Sequence, residues 1–136
     1  MDVGQPLGRA SQIAIDPQGN VIIYPGQGQQ VYAYNADGQL RWKITLTTPQ
    51  MQPALVGVGS GCLVYVLSSD GGLLVYRASD GALRGLATLY AGGTHGHAAS
   101  RFLKVTPDDQ VQFSAGYLSI ATIDGPTLAN INCKPA

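Results

Sequence analysis

The chain has 136 residues with eight basic and eight acidic side chains, and only 12% of its residues are charged. This balance excludes the electrostatic attraction that nucleic acids and anionic membranes exert on basic proteins, so we expect neither as a partner. The length supports one core and predicts a single domain over residues 1–136, and no apolar run approaches the roughly 20 residues of a membrane span.

Turn residues and short apolar runs alternate along the chain and predict an all-β protein. All eight acidic residues are Asp, and most of them stand beside Gly or Pro, where a tight turn is expected. After an entry arm at residues 1–10, we predict three four-stranded antiparallel meander repeats, at about 11–48, 53–91 and 100–133. The predicted strands lie at 11–16, 20–24, 29–35 and 39–47, then at 53–58, 62–67, 72–78 and 82–90, and finally at 101–106, 110–115, 117–123 and 126–133.

The second unit repeats the first at the level of single residues. An offset of 42 residues places Val21 on Leu63 and Tyr34 on Tyr76, and after one inserted residue the two D-G-x-L-R segments coincide. The third unit carries a matching D-G-x-x-L at 124–128. A period in the forties built from strands and turns is typical of stacked β-modules.

The side-chain pattern of the second strand in each unit predicts how the units pack. The runs at 20–24 and 62–67 are apolar on both faces, which is expected of a sheet that lies between two neighbours. The run at 110–114 instead alternates, with Val111 and Phe113 on one face and polar residues on the other. We therefore expect the third unit to be a terminal, half-solvated repeat.

The first unit also resembles a known kind of repeat. AIDPQGNVIIY followed by QVYAYNADGQLRW resembles a β-propeller blade of the NHL and quinoprotein (PQQ-like) type, and Asp37, Gly38 and Trp42 follow the order of the tryptophan-docking segment of quinoprotein blades. The resemblance implies propeller-blade-like repeats and, in its strongest form, a fragment of a quinoprotein-type oxidoreductase. Gly85 replaces the tryptophan in the second unit, and the adjacent cysteines and calcium ligands of that enzyme class are missing. We therefore expect blade-like repeats but not the enzymatic activity.

Three blades cannot close a propeller, which needs at least four. The outer faces are therefore expected to be covered by self-association or by the rest of a longer protein. The alternative fold is a β-trefoil, which has the same number of repeats and strands and closes within one chain.

The sequence offers candidate ligand-binding residues but no catalytic constellation, no metal site and no cofactor. Aromatic side chains suited to stacking on a sugar include Trp42, Tyr34 and Tyr76. Arg41 and Arg84 recur at one repeat position, which favours a shared structural role such as pairing with a turn aspartate.

Two pairs of residues suit a metal site or a disulfide only in part. His95 and His97 have the spacing of half a zinc site without a third ligand. Cys62 and Cys133 are compatible with a disulfide or with two buried thiols.

These observations favour a non-catalytic binding or scaffold module that contacts a protein partner or another copy of itself. The alternative is a lectin-like, carbohydrate-binding module, and the second alternative is the quinoprotein fragment. The N-terminus lacks the basic start and apolar run of a secretory signal. The sequence does not indicate the cellular compartment.

Overall fold

The computed structural model describes residues 11–46, 53–68, 72–88, 102–114 and 120–133, which form eleven strands and one helix. In chain order the elements are β1 (Gln12–Ile15), β2 (Val21–Tyr24), β3 (Gln30–Tyr34), β4 (Leu40–Thr45), β5 (Pro53–Val58), β6 (Leu63–Ser68), β7 (Gly72–Arg77), β8 (Leu83–Thr88), β9 (Phe102–Val105), β10 (Gln110–Ser114), β11 (Ala121–Asp124) and α1 (Gly125–Ala129).

The strands form three separate antiparallel meanders, one for each predicted repeat. Sheet 1 has the order β1-β2-β3-β4, sheet 2 the order β5-β6-β7-β8, and sheet 3 the order β9-β10-β11. The prediction of an all-β, repeat-built chain is confirmed. Within the described ranges no strand of one sheet pairs with a strand of another, so the trefoil alternative, whose repeats share one barrel, is wrong.

Sheet 3 differs from the prediction at its fourth strand. The segment 126–133, predicted as a strand, begins instead with helix α1. The Asp124 side chain caps this helix by accepting a hydrogen bond from the backbone N–H of Thr127, and Pro126 lies in its first turn, where a missing N–H costs nothing. Asn130 ends the helix in the left-handed conformation. The D-G pair of the third unit, Asp124-Gly125, therefore starts a helix rather than a β-turn.

Sheet 2 lies between sheets 1 and 3, and both of its faces are buried. Val64 and Val66 pack toward sheet 1, whereas Tyr65 and Leu67 pack toward sheet 3, and each is at most 1% exposed. Strands β1, β5 and β9 are neighbours along the stack. The expected burial of sheet 2 on both faces is confirmed.

The repeat alignment needs a correction of one residue on the second strand. Val21 pairs with Tyr34 in sheet 1, and Val64 pairs with Tyr76 in sheet 2. Because Tyr34 and Tyr76 are equivalent, the counterpart of Val21 is Val64 and not Leu63. The β2–β3 connection is thus one residue longer than the β6–β7 connection, and a slip of one residue moves a side chain to the opposite face.

The two ends of the stack are different. In sheet 3, Val111 and Phe113 are buried against sheet 2 while Gln112 is exposed, so the predicted half-solvated terminal repeat is confirmed. In sheet 1, the face turned away from sheet 2 carries the buried apolar cluster Val21, Ile23, Tyr32 and Tyr34. On the same face Ile13 and Ile15 of β1 are 55% and 63% exposed.

Candidate functional site

The tight turns after β1, β3, β5, β7 and β9, together with the end of β11, lie at one end of the three sheets, which we call the turn face. Local side-chain bonds shape these turns. The Asp16 carboxylate, for example, accepts hydrogen bonds at 2.9 Å from the backbone N–H groups of Gln18 and Asn20. An aspartate that bonds its own turn in this way holds the backbone in place.

Asp109 joins sheets 2 and 3 at the turn face. Its side chain is almost fully buried, and its backbone is left-handed with φ of 65°. The carboxylate accepts hydrogen bonds from the Ser60 hydroxyl at 2.5 Å and from the Tyr65 hydroxyl at 3.0 Å. Burial, and then the charge of Asp109, raise the pKa of Tyr65 well above its usual range. Gly125 packs directly against this hydroxyl, where a β-carbon would not fit.

Trp42 and Arg41 join sheets 1 and 2. The indole N–H of Trp42 and the Nη1 of Arg41 both donate to the carbonyl oxygen of Ala78, each at 2.7 Å. Arg41 Nε donates to the side-chain oxygen of Asn35 at 2.9 Å. The ring lies over Gly81, where a β-carbon would approach Trp42 Cδ2 to 2.8 Å and where φ is 75°. Only glycine suits this position in the turn.

A cavity of about 940 Å³ opens between the β9–β10 turn and the segment that follows α1. We call it the acidic pocket because Asp108, Asp109 and Asp124 line it and none of its lining residues is Lys or Arg. Its carboxylates already accept hydrogen bonds: Asp108 from Thr106, and Asp124 from Thr127. The pocket is polar, but these side chains hold the turn and the helix cap in place.

A second cavity, of about 620 Å³, lies between the turns of sheets 1 and 2. We call it the arginine pocket, and its lining residues are Asn35, Arg41, Gly61, Cys62, Arg77, Ala78, Ser79 and Ile131. Arg77 forms a bidentate ion pair with Asp80. Its Nε donates to Oδ1 at 2.9 Å and its Nη2 donates to Oδ2 at 2.6 Å. Hydrogen bonds from Arg77 lower the pKa of Asp80 from 3.8 to about 2.

A disulfide crosses the turn face between the two pockets. Cys62, in the β5–β6 turn, is bonded to Cys133, 71 residues later, which answers the question that the sequence left open. Residues 131–133, which we call the strap, connect α1 to that turn. Ile131 lines both pockets, so the strap forms the wall between them.

The predicted ligand-binding residues do not form one site. Trp42, Tyr34 and Tyr76 are 8%, 4% and 5% exposed, so their rings pack between or within sheets and do not offer a face to a sugar. Burial raises the pKa of Tyr76 to about 12. Arg41 lies in the arginine pocket next to Trp42, whereas Arg84 is exposed on β8.

The predicted pairing of Arg41 with a turn aspartate is wrong. Arg41 bonds Asn35 and Ala78 instead, and among the described residues the arginine that pairs with a turn aspartate is Arg77. The sequence contains the signal for that pair, because Arg77 stands three residues before Asp80 across a D-G turn. No comparable local sequence pattern predicts that the strap lies between the pockets.

His95 and His97 lie outside the described residues. Within the described residues, no group of three His, Cys, Asp or Glu side chains has a geometry that could hold a metal ion. No helix in that part of the chain has the length and apolarity that a transmembrane helix needs.

No protein-family model and no curated protein matches this sequence. Solved structures do match. BamB from Moraxella catarrhalis is 20% identical with a TM-score of 0.65, over 83% of this chain and 33% of that one. The Dos1 propeller is 13% identical with a TM-score of 0.66, over 89% and 31%. The Pan2 WD40 domain of Neurospora crassa is 7% identical with a TM-score of 0.56, over 86% and 37%.

These similarities establish the fold. The chain is built from β-propeller-like blades, each a small antiparallel sheet, and it spans about a third of each of these solved chains.

Proposed function

We propose that the chain is a non-catalytic protein-binding module and that the turn face is its contact surface. The observation that carries the proposal is the presence of two pockets side by side on this face, separated by a strap that a disulfide anchors. Loops held by a rigid scaffold are where binding residues concentrate. Here the scaffold is a stack of sheets whose cores are almost fully buried.

The state of the polar residues supports binding over catalysis. The Asp109 carboxylate is already engaged by Ser60 and Tyr65, and Asp124 caps α1. A general base must be free to reach a proton on the substrate. Carboxylates that are held by the fold suit a recognition surface better than a reaction centre.

The two ends of the stack favour a different protein over a second copy as the partner. Blades that associate head to tail would place the outer face of sheet 3 on the outer face of sheet 1. The first carries exposed Lys104, Gln112 and Thr122, and the second carries exposed Lys43 and Thr45 beside its apolar cluster. Two faces that each carry a lysine are poorly complementary to one another, because like charges brought together disfavour binding. The carbohydrate alternative receives no support from the buried aromatic rings, and no contact described above favours the quinoprotein fragment.

Site-specific photo-crosslinking in the native host tests the proposal. A photoreactive residue replaces the exposed Ser79 or Pro107 on the turn face, and Gln27, exposed in the β2–β3 connection at the opposite end, serves as the matched control. We expect a discrete protein adduct from both turn-face positions and none from Gln27. Equal adducts from the two ends would contradict the proposal, as would turnover by the purified chain. Light scattering on the same material separates a second copy from a different partner.

A further inference from the structure

We propose that the arginine pocket binds a carboxylate of an acidic peptide segment in the partner protein. This inference rests on the proposed function, since it assigns a chemical class to one part of the turn face. It is carried by two guanidinium groups, from sheets 1 and 2, that line one cavity.

Each guanidinium keeps hydrogen-bond donors that the fold does not use. Arg41 is oriented by its bonds to Asn35 and Ala78, which occupy Nε and Nη1. Arg77 uses Nε and Nη2 for Asp80. Within the described residues, Nη2 of Arg41 and Nη1 of Arg77 have no hydrogen-bond partner. Arg41 is thus held in position before any ligand arrives, which lowers the entropic cost of binding.

The carboxylates near the pocket leave it open to an anion. The Arg77–Asp80 pair is exposed, with 41% and 49% of the two side chains accessible. Solvent screens an exposed pair, and Asp80 occupies only Nε and Nη2 of Arg77, which leaves Nη1 for a second carboxylate. Asp16 lies behind Gly61 and is satisfied by Gln18 and Asn20.

The walls of the pocket suit a peptide side chain better than a free ion. Ile131, Ala78 and the Cys62 half of the disulfide supply apolar contacts, and the exposed Ser79 supplies a hydroxyl at the rim. Its volume of about 620 Å³ lies within the usual range of small-ligand sites. The guanidinium fork matches the planar geometry of a carboxylate.

The neighbouring acidic pocket adds selectivity. It lies on the other side of Ile131 and carries three aspartates. Like charges brought close together disfavour binding, so an acidic side chain is accepted in the arginine pocket and rejected next to it. The pair of pockets therefore sets the position of an acidic residue along the bound segment.

The protein contains its own probe for this test. Trp42 is the single tryptophan, and its indole donates to the same Ala78 carbonyl as Arg41. We would titrate the purified chain with acetyl-Gly-Asp-Gly-amide and with the isosteric acetyl-Gly-Asn-Gly-amide, following Trp42 fluorescence and the heat of binding. We expect saturable binding of the Asp peptide, about tenfold weaker binding of the Asn peptide, and loss of affinity as salt is added.

Single substitutions then assign the effect to the pocket. Arg77→Gln is expected to weaken binding of the Asp peptide about three- to tenfold. Asp80→Asn, which frees Arg77, is expected to strengthen it. Arg84→Gln is the matched control, because Arg84 is the repeat counterpart of Arg41 but lies outside the pocket. Circular dichroism and thermal unfolding verify that each variant is folded, and the test does not depend on Arg41, whose loss could affect folding.

Three results would overturn the inference: equal affinity for the Asp and Asn peptides, equal effects of the Arg77 and Arg84 substitutions, or inorganic phosphate binding as tightly as the Asp peptide. The last result would indicate a general anion site. Each of them leaves the photo-crosslinks intact, so a failure of this inference is distinguishable from a failure of the proposed function.

Discussion

Single buried polar contacts tie neighbouring sheets together at the turn face. Between sheets 2 and 3, the hydroxyl of the fully buried Tyr65 donates to the nearly buried carboxylate of Asp109. Between sheets 1 and 2, the indole of Trp42 donates to the carbonyl of Ala78. A buried polar group is costly unless it is hydrogen-bonded, so such contacts select one relative position of the sheets.

Replacing Tyr65 with Phe leaves Asp109 without one of its donors. We expect the free energy of unfolding to fall by about 1–3 kcal/mol, since a buried acceptor loses its partner. Denaturant unfolding followed by circular dichroism measures the change. Tyr24→Phe is the control, because the Tyr24 hydroxyl makes a longer bond of 3.3 Å to Gly28 within sheet 1. An equal fall in the free energy of unfolding of both variants would contradict a larger contribution from the contact between sheets.

At the scale of elements, one repeat position accounts for the irregular third sheet. In β4 the position is Trp42, which reaches across to the β7–β8 turn. In β8 it is Gly85, and α1 packs against it: a β-carbon there would lie 3.0 Å from the carbonyl oxygen of Leu128. The loss of the tryptophan and the replacement of a fourth strand by a helix are therefore one structural change. Gly85 makes room for α1.

A larger side chain at Gly85 is expected to push α1 away from sheet 2. Gly85→Leu should destabilise the fold by about 1–3 kcal/mol through overpacking, and it should speed amide exchange at Asn130 and Ile131, whose N–H groups bond within the helix end. Hydrogen exchange followed by NMR measures this. Leu86→Gln, the neighbouring and exposed position on β8, is the control and should leave those amides unchanged. Unchanged exchange in the Gly85 variant would contradict the packing argument.

At the scale of the whole molecule, the disulfide closes the stack along its turn face. Cys62 lies in the β5–β6 turn, and Cys133 ends the strap that follows α1, so the bond holds the strap in place between the two pockets. Disulfides persist in oxidising environments. A bond that spans 71 residues removes much of the freedom of the unfolded chain.

Removing the disulfide is expected to lower the free energy of unfolding by about 2–4 kcal/mol. The double variant Cys62→Ser/Cys133→Ser and the reduced wild-type chain should show the same shift in denaturant midpoint, and the reduced sample is the control for the serine substitutions. A mass increase of the alkylated native protein only after reduction confirms that the bond is present. Identical midpoints for oxidised and reduced protein would mean that the strap adds nothing to stability.

The fold class and the repeat organisation can be predicted from the amino-acid sequence, because strands and turns each have a local residue pattern. Runs apolar on both faces, such as 62–67, predicted a buried sheet, and the alternation at 110–114 predicted a terminal one. Both are confirmed in the burial of Tyr65 and the exposure of Gln112. These properties follow from the two-residue period of a strand, which is visible without knowing any distant partner.

The strand register, the helix and the candidate site depend on contacts between distant residues and could not be predicted from the sequence. The pairing of Val21 with Tyr34 sets its counterpart in sheet 2. Because the β2–β3 connection is one residue longer than the β6–β7 connection, the alignment of the two repeats at a constant offset is wrong on the second strand. The arginine pocket assembles side chains from β4, β7 and the strap. Contacts between residues far apart in the chain have no periodic signature. The packing of sheets and the strap bond therefore selected Arg41 for the pocket and left its repeat counterpart Arg84 on the surface.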